Sequence, residues 1–483
     1  MPYNVRRDRP VPRTGHEPSQ TVPGAGLEPA CPLGRAGLSG LCLPFHHPGG
    51  GRPHGCTEVL QHHEHISARL SYVRTVEPGR AAYRQLFAVR EFRAIFLAYG
   101  LSILGDQVAR IAVSLLVFQR SHSALAATAT FAVSFAPGVI AGPLLSTLAD
   151  RFPRRSVMII CDLLRVVLLI GLALPGLPLP VAFVVLLAVG LLEPPFESAR
   201  GALLPEVLTP DNYVVASGVL QIVGQGGQVL GYLVGGALVA ATSVQGALLL
   251  DAASFAVSAG LLLGLRSRPA ALAPDERHSL IADTVAGARY VLGEPALRRL
   301  LGLALLGAAT MIVPEGLAVP VAASLHGGPV AAGVLTATVP AGFVLGSVLL
   351  LRIDVQRRQR LLVPLLVGSC LPLLLTPVTG SLSAIAALWV LSGGCSALQM
   401  VANAAYVATT PPSFRGRAFG IAGTSLYAVQ GLAVLVGGGI ADVLHDARWS
   451  VAGLGGLVLL GAMTFMLRAD HPMGAQEHTE VAR

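Results

Sequence analysis

Residues 124–174 place a short charged segment between two apolar runs: ALAATATFAVSFAPGVIAGPLLS at 124–146, TLADRFPRR at 147–155 and SVMIICDLLRVVLLIGLAL at 156–174. A helix needs about 20 apolar residues to cross a hydrocarbon core about 30 Å thick, and both runs are near that length. Helices are the default in lipid, because they satisfy every backbone polar group within their own segment. The stretch therefore predicts two membrane helices joined by a charged turn.

The rest of the chain extends this pattern. Of its 483 residues, 53% are hydrophobic and only 12% are charged, about half the charged share of a soluble domain. We count twelve apolar segments of spanning length: 94–118, 124–146, 156–174, 180–200, 213–241, 246–265, 298–322, 329–351, 361–378, 382–408, 417–440 and 449–467. A soluble helical protein would not need so many, so we expect an all-α membrane protein with twelve transmembrane helices in a lipid bilayer.

Composition also excludes some functions. All 34 basic residues are arginine. Without lysine the chain has no phosphate-binding loop of the G-x-x-x-x-G-K-[ST] type and forms no lysine Schiff base. The sequence contains no G-x-S-x-G and no H-E-x-x-H motif. We therefore expect no enzyme activity, no cofactor and no metal site, and we do not take the net charge of +8 as a sign of a nucleic-acid partner.

Arginine is unevenly distributed among the connections between these segments. The connections after even-numbered segments hold Arg151, Arg154, Arg155, Arg266, Arg268, Arg277, Arg352, Arg357, Arg358, Arg360, Arg415 and Arg417. Those after odd-numbered segments are mostly uncharged, with Arg120 and Arg448 as exceptions. Because cytoplasmic loops carry the excess of basic residues, we expect the arginine-rich loops and both termini in the cytoplasm, in a multi-pass protein of the inner or plasma membrane.

The chain divides into five predicted regions. Residues 1–80 lack helical periodicity and are expected to be a disordered tail, with a misassigned start as one explanation. Residues 81–265 form an N-terminal six-helix bundle, 266–297 a cytoplasmic linker helix that bridges the halves, 298–467 a C-terminal six-helix bundle and 468–483 a cytoplasmic tail.

The two halves echo each other in sequence. In the first, Gly142 precedes Asp150, and Arg154 and Arg155 follow. In the second the same order recurs at Gly346, Asp354, Arg357 and Arg358. Parallel repeats related by an axis along the membrane normal are one known transporter plan, so we expect two pseudo-symmetric six-helix bundles.

The charged turn carries a resemblance to a known family. ADRFPRR at 149–155 resembles the loop signature of the major facilitator superfamily, G-x-x-x-D-R-x-G-R-[RK], which lies between its second and third helices. The charged positions match at Asp150, Arg151, Arg154 and Arg155, whereas Ser146 and Pro153 replace the two glycines. The resemblance implies a gating role, with Asp150 at a helix end and the arginines in salt bridges across the cytoplasmic surface. The open alternative is that these charges only set topology.

The fifth segment resembles the antiporter pattern G-x8-G-x3-G-P-x2-G-G of proton-coupled exporters in that superfamily. In SGVLQIVGQGGQVLGYLVGG at 217–236 the matching residues are Gly218, Gly227, Gly231, Gly235 and Gly236. Tyr232 replaces the proline. Ordinary close packing of helices is the alternative explanation of such small residues.

Other stretches are similar to the twelve-helix drug and siderophore exporters: LGDQVARIAVSLLVF at 104–118, ESARGALLPEVL at 197–208, LLLDAASFAVSAGLLL at 248–263 and SFRGRAFGI at 413–421. The resemblance implies a monomeric secondary transporter that exports small, mostly hydrophobic compounds by proton antiport through alternating access. Its partners would be a small-molecule substrate and protons. An uptake carrier or uniporter for a small metabolite stays open, as does a non-transporting receptor or assembly protein.

Ionisable side chains at bilayer depth are functional candidates, because they cost at least about 2.5 kcal/mol to insert. We expect proton coupling first at Glu193, which lies deeper than Glu197, then at Asp106 and Glu315, and last at Glu197 itself. Asp251 is expected to be structural.

Several of these charges also have possible ion-pair partners. Asp106 and Arg110 share a helix face at the i, i+4 spacing. Arg200 lies near Glu197, at the cytoplasmic end of its segment. Asp162 and Arg165 are expected to extend the loop network.

Overall fold

The computed structural model describes residues 80–140, 152–266, 280–411 and 414–469, and within them the secondary structure is helical, with no strand. The helices are α1 Arg80–Ala88, α2 Arg90–Ser121, α3 Ala124–Ile140, α4 Arg154–Leu172, α5 Leu179–Leu191, α6 Glu193–Val207, α7 Pro210–Ala241, α8 Val244–Leu262, α9 Leu280–Gly293, α10 Pro295–Ser324, α11 Pro329–Leu351, α12 Val355–Arg360, α13 Leu362–Leu374, α14 Leu382–Ser396, α15 Leu398–Thr409, α16 Arg415–Leu444 and α17 Ala447–Ala469. A 3₁₀ turn spans Thr376–Val378.

Nine helical stretches in the described part are long and apolar enough to cross a membrane, with α5–α6 and α14–α15 each counted as one stretch. Ala124–Ile140 and Leu362–Val378 are apolar but shorter. Helix α4 is 19 residues long but contains four charged residues, Arg154, Arg155, Asp162 and Arg165. The all-α membrane class is therefore confirmed, whereas the count of twelve spans stays a prediction.

One helix break bears on the site. Helices α5 and α6 meet at Leu192, directly before Glu193, and the prolines at 194 and 195 occupy the first turn of α6. Proline is tolerated there because its missing N–H would have no partner within the helix. The break places Glu193 at a helix start rather than inside a continuous span.

The helix bundle has two ends that differ in charge. The arginine-poor end holds the connections 122–123, 173–178, 242–243, 325–328, 379–381 and 445–446. The arginine-rich end holds the connections 152–153, 208–209, 263–266 and 352–354, and residues 410–411 and 414. These names are used for the two ends below.

The hydrophobic core is shared at one end and divided at the other. Near the arginine-poor end, a single cluster joins the first half (α2–α8) to the second (α10–α17), with members such as Ile111, Leu317 and Leu335. Near the arginine-rich end each half has its own cluster, around Met158 in the first and Leu366 in the second. The halves are thus fused at the arginine-poor end and separately packed at the other.

Close helix crossings explain the shared end. Helix α7 meets α11 at Gly236, where an added Cβ would lie 2.6 Å from the Pro329 carbonyl oxygen and 2.9 Å from Gly333 Cα. Helix α3 meets α16 at Gly438, where an added Cβ would lie 2.8 Å from Leu125 Cα. Only glycine lets the two backbones approach this closely.

The linker region contains helix α9, whose contacts lie on the second half. Gly287 lies against Arg417 at the start of α16, and the Tyr290 ring stacks on Phe414 with centroids 4.4 Å apart. Val291 joins a buried cluster with Leu297 and residues of α15 and α16. The described part of the linker therefore packs on α10 and α16 of the second half, and its bridging of the two halves stays a prediction. Residues 267–279 lie outside the described part, as do nearly all of both predicted tails.

Candidate functional site

A cavity of about 380 Å³ lies between the two halves. Helix α7 lines it from the first half, and α10, α11, α15 and α16 line it from the second. Its lining residues are Gln225, Gln228, Leu300, Leu301, Ala304, Met311, Phe343, Gln399, Ala402, Asn403, Tyr406, Ala422, Leu426 and Gln430. None of these residues carries a charge, so the wall combines an apolar surface with amide and phenol groups.

Such a wall suits a particular kind of ligand. Apolar and aromatic side chains supply the contact area, and a few polar groups fix orientation. The Gln399 side chain is held by its amide nitrogen, which donates to the Ala304 carbonyl oxygen at 2.6 Å. This bond also fixes the position of the Gln399 amide oxygen. The arrangement can bind a mostly apolar molecule with hydrogen-bonding groups and provides no counter-charge for an ion.

A second, smaller cavity of about 100 Å³ lies within the first half and has the opposite character. Five ionisable side chains line it: Asp106, Arg110, Arg165, Glu193 and Asp251. They come from α2, α4, α6 and α8. The structure thus brings together two of the predicted coupling acids, Asp106 and Glu193, and two of the three predicted arginine partners, Arg110 and Arg165, and it adds Asp251.

Each arginine of this charged cavity lies between acids and aromatic rings. The Arg165 side chain is 3.9 Å from Asp162 and lies 5.0 Å from the ring centroid of Phe255. Ser258 donates to the Asp162 carboxylate at 2.6 Å. Arg110 lies 5.9 Å from the Phe131 ring centroid. Stacked rings stabilise a guanidinium out of bulk water, so these arginines are held in the protein interior.

Arg110 also connects the charged cavity to the second half. Its charge interacts with Asp106, Glu193 and, from α10, Glu315. Glu315 is only 4% exposed, and the Tyr232 hydroxyl donates to its Oε2 at 3.3 Å. A bond between helices α7 and α10 thus links the two halves at a buried acid.

Tyr232 acquires a role that the sequence did not assign. The one feature of the sequence that could have indicated this role is the replacement of the pattern's proline by tyrosine.

The predicted coupling acids fall into different environments. Glu193 is exposed at the charged cavity, and Glu315 is buried. Glu197 forms an ion pair with Arg200, whose guanidinium lies 4.0 Å from the Tyr99 ring centroid. The Glu197–Arg200 pairing agrees with the spacing in sequence.

The charged turn is described only in part, since Asp150 and Arg151 lie outside the described residues. Arg154 pairs with Glu206 and donates to the Ala202 carbonyl, at the C-terminal end of α6. Arg155 donates to the carbonyl oxygen of Leu263 at 2.7 Å, at the C-terminal end of α8. Cations are stabilised at helix C-termini, so both arginines bind within the first half in this conformation.

The corresponding turn of the second half, at 352–358, also holds an arginine at a helix C-terminus. Arg358 donates to the carbonyl oxygens of Ile353 at 2.5 Å and Leu351 at 2.9 Å, at the end of α11. Asp354 and Arg357 are exposed.

Four of the five pattern glycines lie at helix crossings. Added Cβ atoms would lie 2.7 Å from Ile103 at Gly227, 2.6 Å from Gln107 at Gly231 and 3.0 Å from Val108 at Gly235. These three glycines seat α7 on α2, whereas Gly236 seats it on α11. No described atom lies within 4 Å of a Cβ at Gly218. Close packing is thus one function of the pattern.

Sequence reasoning missed Asp442 altogether. From α16 its carboxylate accepts hydrogen bonds from the Ser123 hydroxyl at 2.6 Å, the Ala124 N–H at 2.6 Å and the Leu125 N–H at 3.3 Å. It therefore caps the N-terminus of α3 from the other half. The one feature of the sequence that could have indicated this role is the position of an acid near the end of an apolar segment.

Comparisons with known proteins all match this chain to transporters of one superfamily. The profile of the Major Facilitator Superfamily matches residues 95–319 and 300–482. The enterobactin exporter EntS of Citrobacter koseri is 27% identical over 403 residues, covering 78% of this chain and 92% of its own. The uncharacterised MFS-type transporter YfiS of Bacillus subtilis is 26% identical over 387 residues, with 76% and 89% covered.

Solved structures share the fold at lower identity. The nucleoside transporter NupG superposes with a TM-score of 0.64 at 15% identity, covering 79% of this chain and 100% of its own. A bacterial homologue of the human lysosomal transporter Spinster, in an inward-facing and occupied conformation, gives 0.60 at 16% identity, with 78% and 95% covered.

Proposed function

The chain belongs to the major facilitator superfamily, and from this premise we propose that it exports small, mostly hydrophobic compounds by proton antiport. It is a multi-pass membrane transporter and not an enzyme. The proposed cargo is drug-, macrolide- or siderophore-like. The proposed path is alternating access between two pseudo-symmetric bundles of six helices, twelve in all.

The uncharged cavity between the halves is the observation that carries this proposal. Helices of both halves line it, so a relative movement of the halves would open it to either side. Its charge-free wall favours hydrophobic cargo with hydrogen-bonding groups. The charged cavity next to it, inside the first half, keeps the ion-binding groups apart from the cargo. Relatives named as enterobactin exporters, matched over 92% of their length, support export as the direction of transport.

The divided core supports the alternating-access part of the proposal. The halves share a cluster at the arginine-poor end and have separate clusters at the arginine-rich end. The positive-inside rule supports a cytoplasmic location for the arginine-rich end and both termini. With that orientation the separate clusters support a conformation open toward the cytoplasm, which is where an exporter loads its cargo.

Proton coupling requires a carboxyl group that changes charge during the cycle. Glu193, Asp106 and Glu315 all interact with Arg110, and Glu193 is the one exposed at the charged cavity. A movement of Arg110 relative to these acids would change which of them it neutralises. We therefore propose Glu193 as the first acceptor of the proton, with Asp106 and Glu315 as further candidates and Asp150, Arg154 and Arg155 as gating residues.

Transport in reconstituted vesicles tests the proposal. Radiolabelled erythromycin, a catecholate siderophore and a neutral hydrophobic dye are offered in turn under an imposed proton gradient. We expect movement of at least one compound against the proton flow, which an uncoupler abolishes. Glu193→Gln should lose this flux, and Glu294→Gln, an exposed acid on the α9–α10 connection, should retain it. Flux in the same direction as protons, or flux indifferent to the uncoupler, would favour an uptake carrier or uniporter.

A further inference from the structure

Asp251, expected to be structural, lies in an unusual position. It is only 2% exposed and comes from α8. A Cβ added at Gly105 would collide with its Oδ1 and lie 3.1 Å from its Cγ. The missing side chain at 105 thus lets the Asp251 carboxyl group reach the backbone of α2, beside Asp106. Both carboxyl groups line the same cavity of about 100 Å³.

Two buried oxygen atoms of residues that line the cavity accept no hydrogen bond from the described residues. The Ser254 hydroxyl donates to Asp251 Oδ1 at 3.2 Å, but Oδ2 has no partner among the described residues. Gln107 Oε1, on the cavity wall and only 7% exposed as a residue, is also without one. Leaving a buried acceptor unpaired costs about 1–3 kcal/mol, more for a charged group. A proton on Asp251 removes the charge and turns one of these acceptors into a donor.

The charges that face Asp251 favour the same conclusion. Helix α2 contributes Asp106 and Arg110, α4 contributes Asp162 and Arg165, and α6 contributes Glu193. Asp162 is already matched by Arg165 and by Ser258. Asp106, Glu193 and Asp251 share the charge of Arg165 with Asp162, and Arg110 interacts with Asp106, Glu193 and Glu315. Negative charge is therefore in excess, and adjacent carboxylates at one site do not both ionise readily.

A proton fits this site better than a metal cation. Two arginines line the same small cavity and would repel a cation. The described residues also hold no group of three or more His, Cys, Asp or Glu side chains arranged to bind a metal ion. A proton needs no ligand shell and binds to a single carboxyl oxygen.

We propose that Asp106 and Asp251 form a carboxyl pair, seated at Gly105, that binds one exchangeable proton, with Glu193 as its entry group. This inference rests on the proposed function and names its ion site. Exposure falls along the series, from exposed Glu193 to partly buried Asp106 and buried Asp251. A proton from water binds one oxygen of the pair, whose charge falls from two negative charges to one, and it returns to water when the pair ionises again.

Infrared difference spectroscopy of the full chain in lipid vesicles tests the pair without any cargo. A pH change should remove one carbonyl-stretch band of a protonated carboxyl group in the wild type. Asp251→Asn should lose this band, and so should Asp106→Asn, because the new amide donates to the remaining carboxylate. The second variant alters a partly exposed site and serves if the first does not fold. Glu294→Gln, at an exposed acid on the α9–α10 connection, is the control and should keep the band.

Three outcomes would overturn the proposal. They are a band that persists in Asp251→Asn, a band lost in Glu294→Gln as well, or a band removed at constant pH when sodium chloride replaces choline chloride. The vesicle flux assay with all three cargo compounds separates this inference from the proposed function. Absence of proton-driven flux in the wild type, with the band behaving as expected, would contradict the function and leave the proton site in place. Proton-driven flux retained in Asp251→Asn would show that the pair is not the coupling site.

Discussion

Asp442→Asn should loosen the contact between the halves at the arginine-poor end. The Asp442 carboxylate accepts hydrogen bonds from the Ser123 hydroxyl and from the Ala124 and Leu125 N–H groups, at 2.6, 2.6 and 3.3 Å. It also places a negative charge at the N-terminus of α3, where the helix dipole stabilises it. Asparagine keeps one acceptor oxygen but removes the charge and the second oxygen.

The expected magnitude follows from these contacts. Loss of a helix cap costs about 0.5–2 kcal/mol, and a carboxylate at a partly buried helix N-terminus contributes up to about 2 kcal/mol. We expect a change of about 1–2 kcal/mol in the equilibrium between the closed and open arginine-poor end. That free energy corresponds to a factor of about 5–30 in the ratio of the two states.

Spin labels on cysteines introduced at His122 and His445 would report this equilibrium by pulsed electron resonance. Both positions are exposed at the arginine-poor end, and the six native cysteines would first be replaced by serine. We expect the population with the longer distance to rise by the factor given above. Asp446→Asn is the matched control, because Asp446 pairs with Arg448 of its own half at 2.8 Å. An unchanged distance distribution in Asp442→Asn, or an equal shift in the control, would refute the reasoning.

Three further changes test other parts of the structure. Gly236→Val should stop the arginine-poor end from closing, because the valine Cβ would lie 2.6 Å from a carbonyl oxygen of α11. The spin-label distance between positions 122 and 445 measures this effect. Gly218→Ala is the control: its Cβ would meet no described atom within 4 Å, so the free energy of unfolding should change by no more than about 0.5 kcal/mol. Asn403→Asp would bring a charge into the uncharged cavity and should weaken binding of the neutral hydrophobic dye by about tenfold or more, for a cost of about 1–3 kcal/mol, in an equilibrium binding assay. Burial raises the pKa of Asp446, but its bonds to Arg448 lower the pKa by more, so the pKa of this carboxyl group is lowered in the fold. The pair should therefore stabilise the fold at neutral pH and lose this effect as pH falls below about 4. We expect Asp446→Asn to have a lower Tm than the wild type at pH 7 and the same Tm at acid pH.

The sequence by itself determined the class of this protein. Segment length and apolar composition are local properties, so they fixed an all-α membrane protein without reference to packing. Glycine spacing in 217–236 likewise indicated close crossings, since residues such as Gly227, Gly231 and Gly235 share one helix face. The Glu197–Arg200 pair was predictable for the same reason, because its members lie three residues apart on one helix.

The tertiary structure alone decided which distant groups meet. Asp442 binds a residue 319 positions away, and Tyr232 binds one 83 positions away. Asp251 faces Asp106 only because Gly105 has no side chain at the crossing of α2 and α8. Such contacts depend on helix rotation and on which halves touch, and a hydrophobic period specifies neither. The shared core at one end, with separate cores at the other, follows from the same choice of packing.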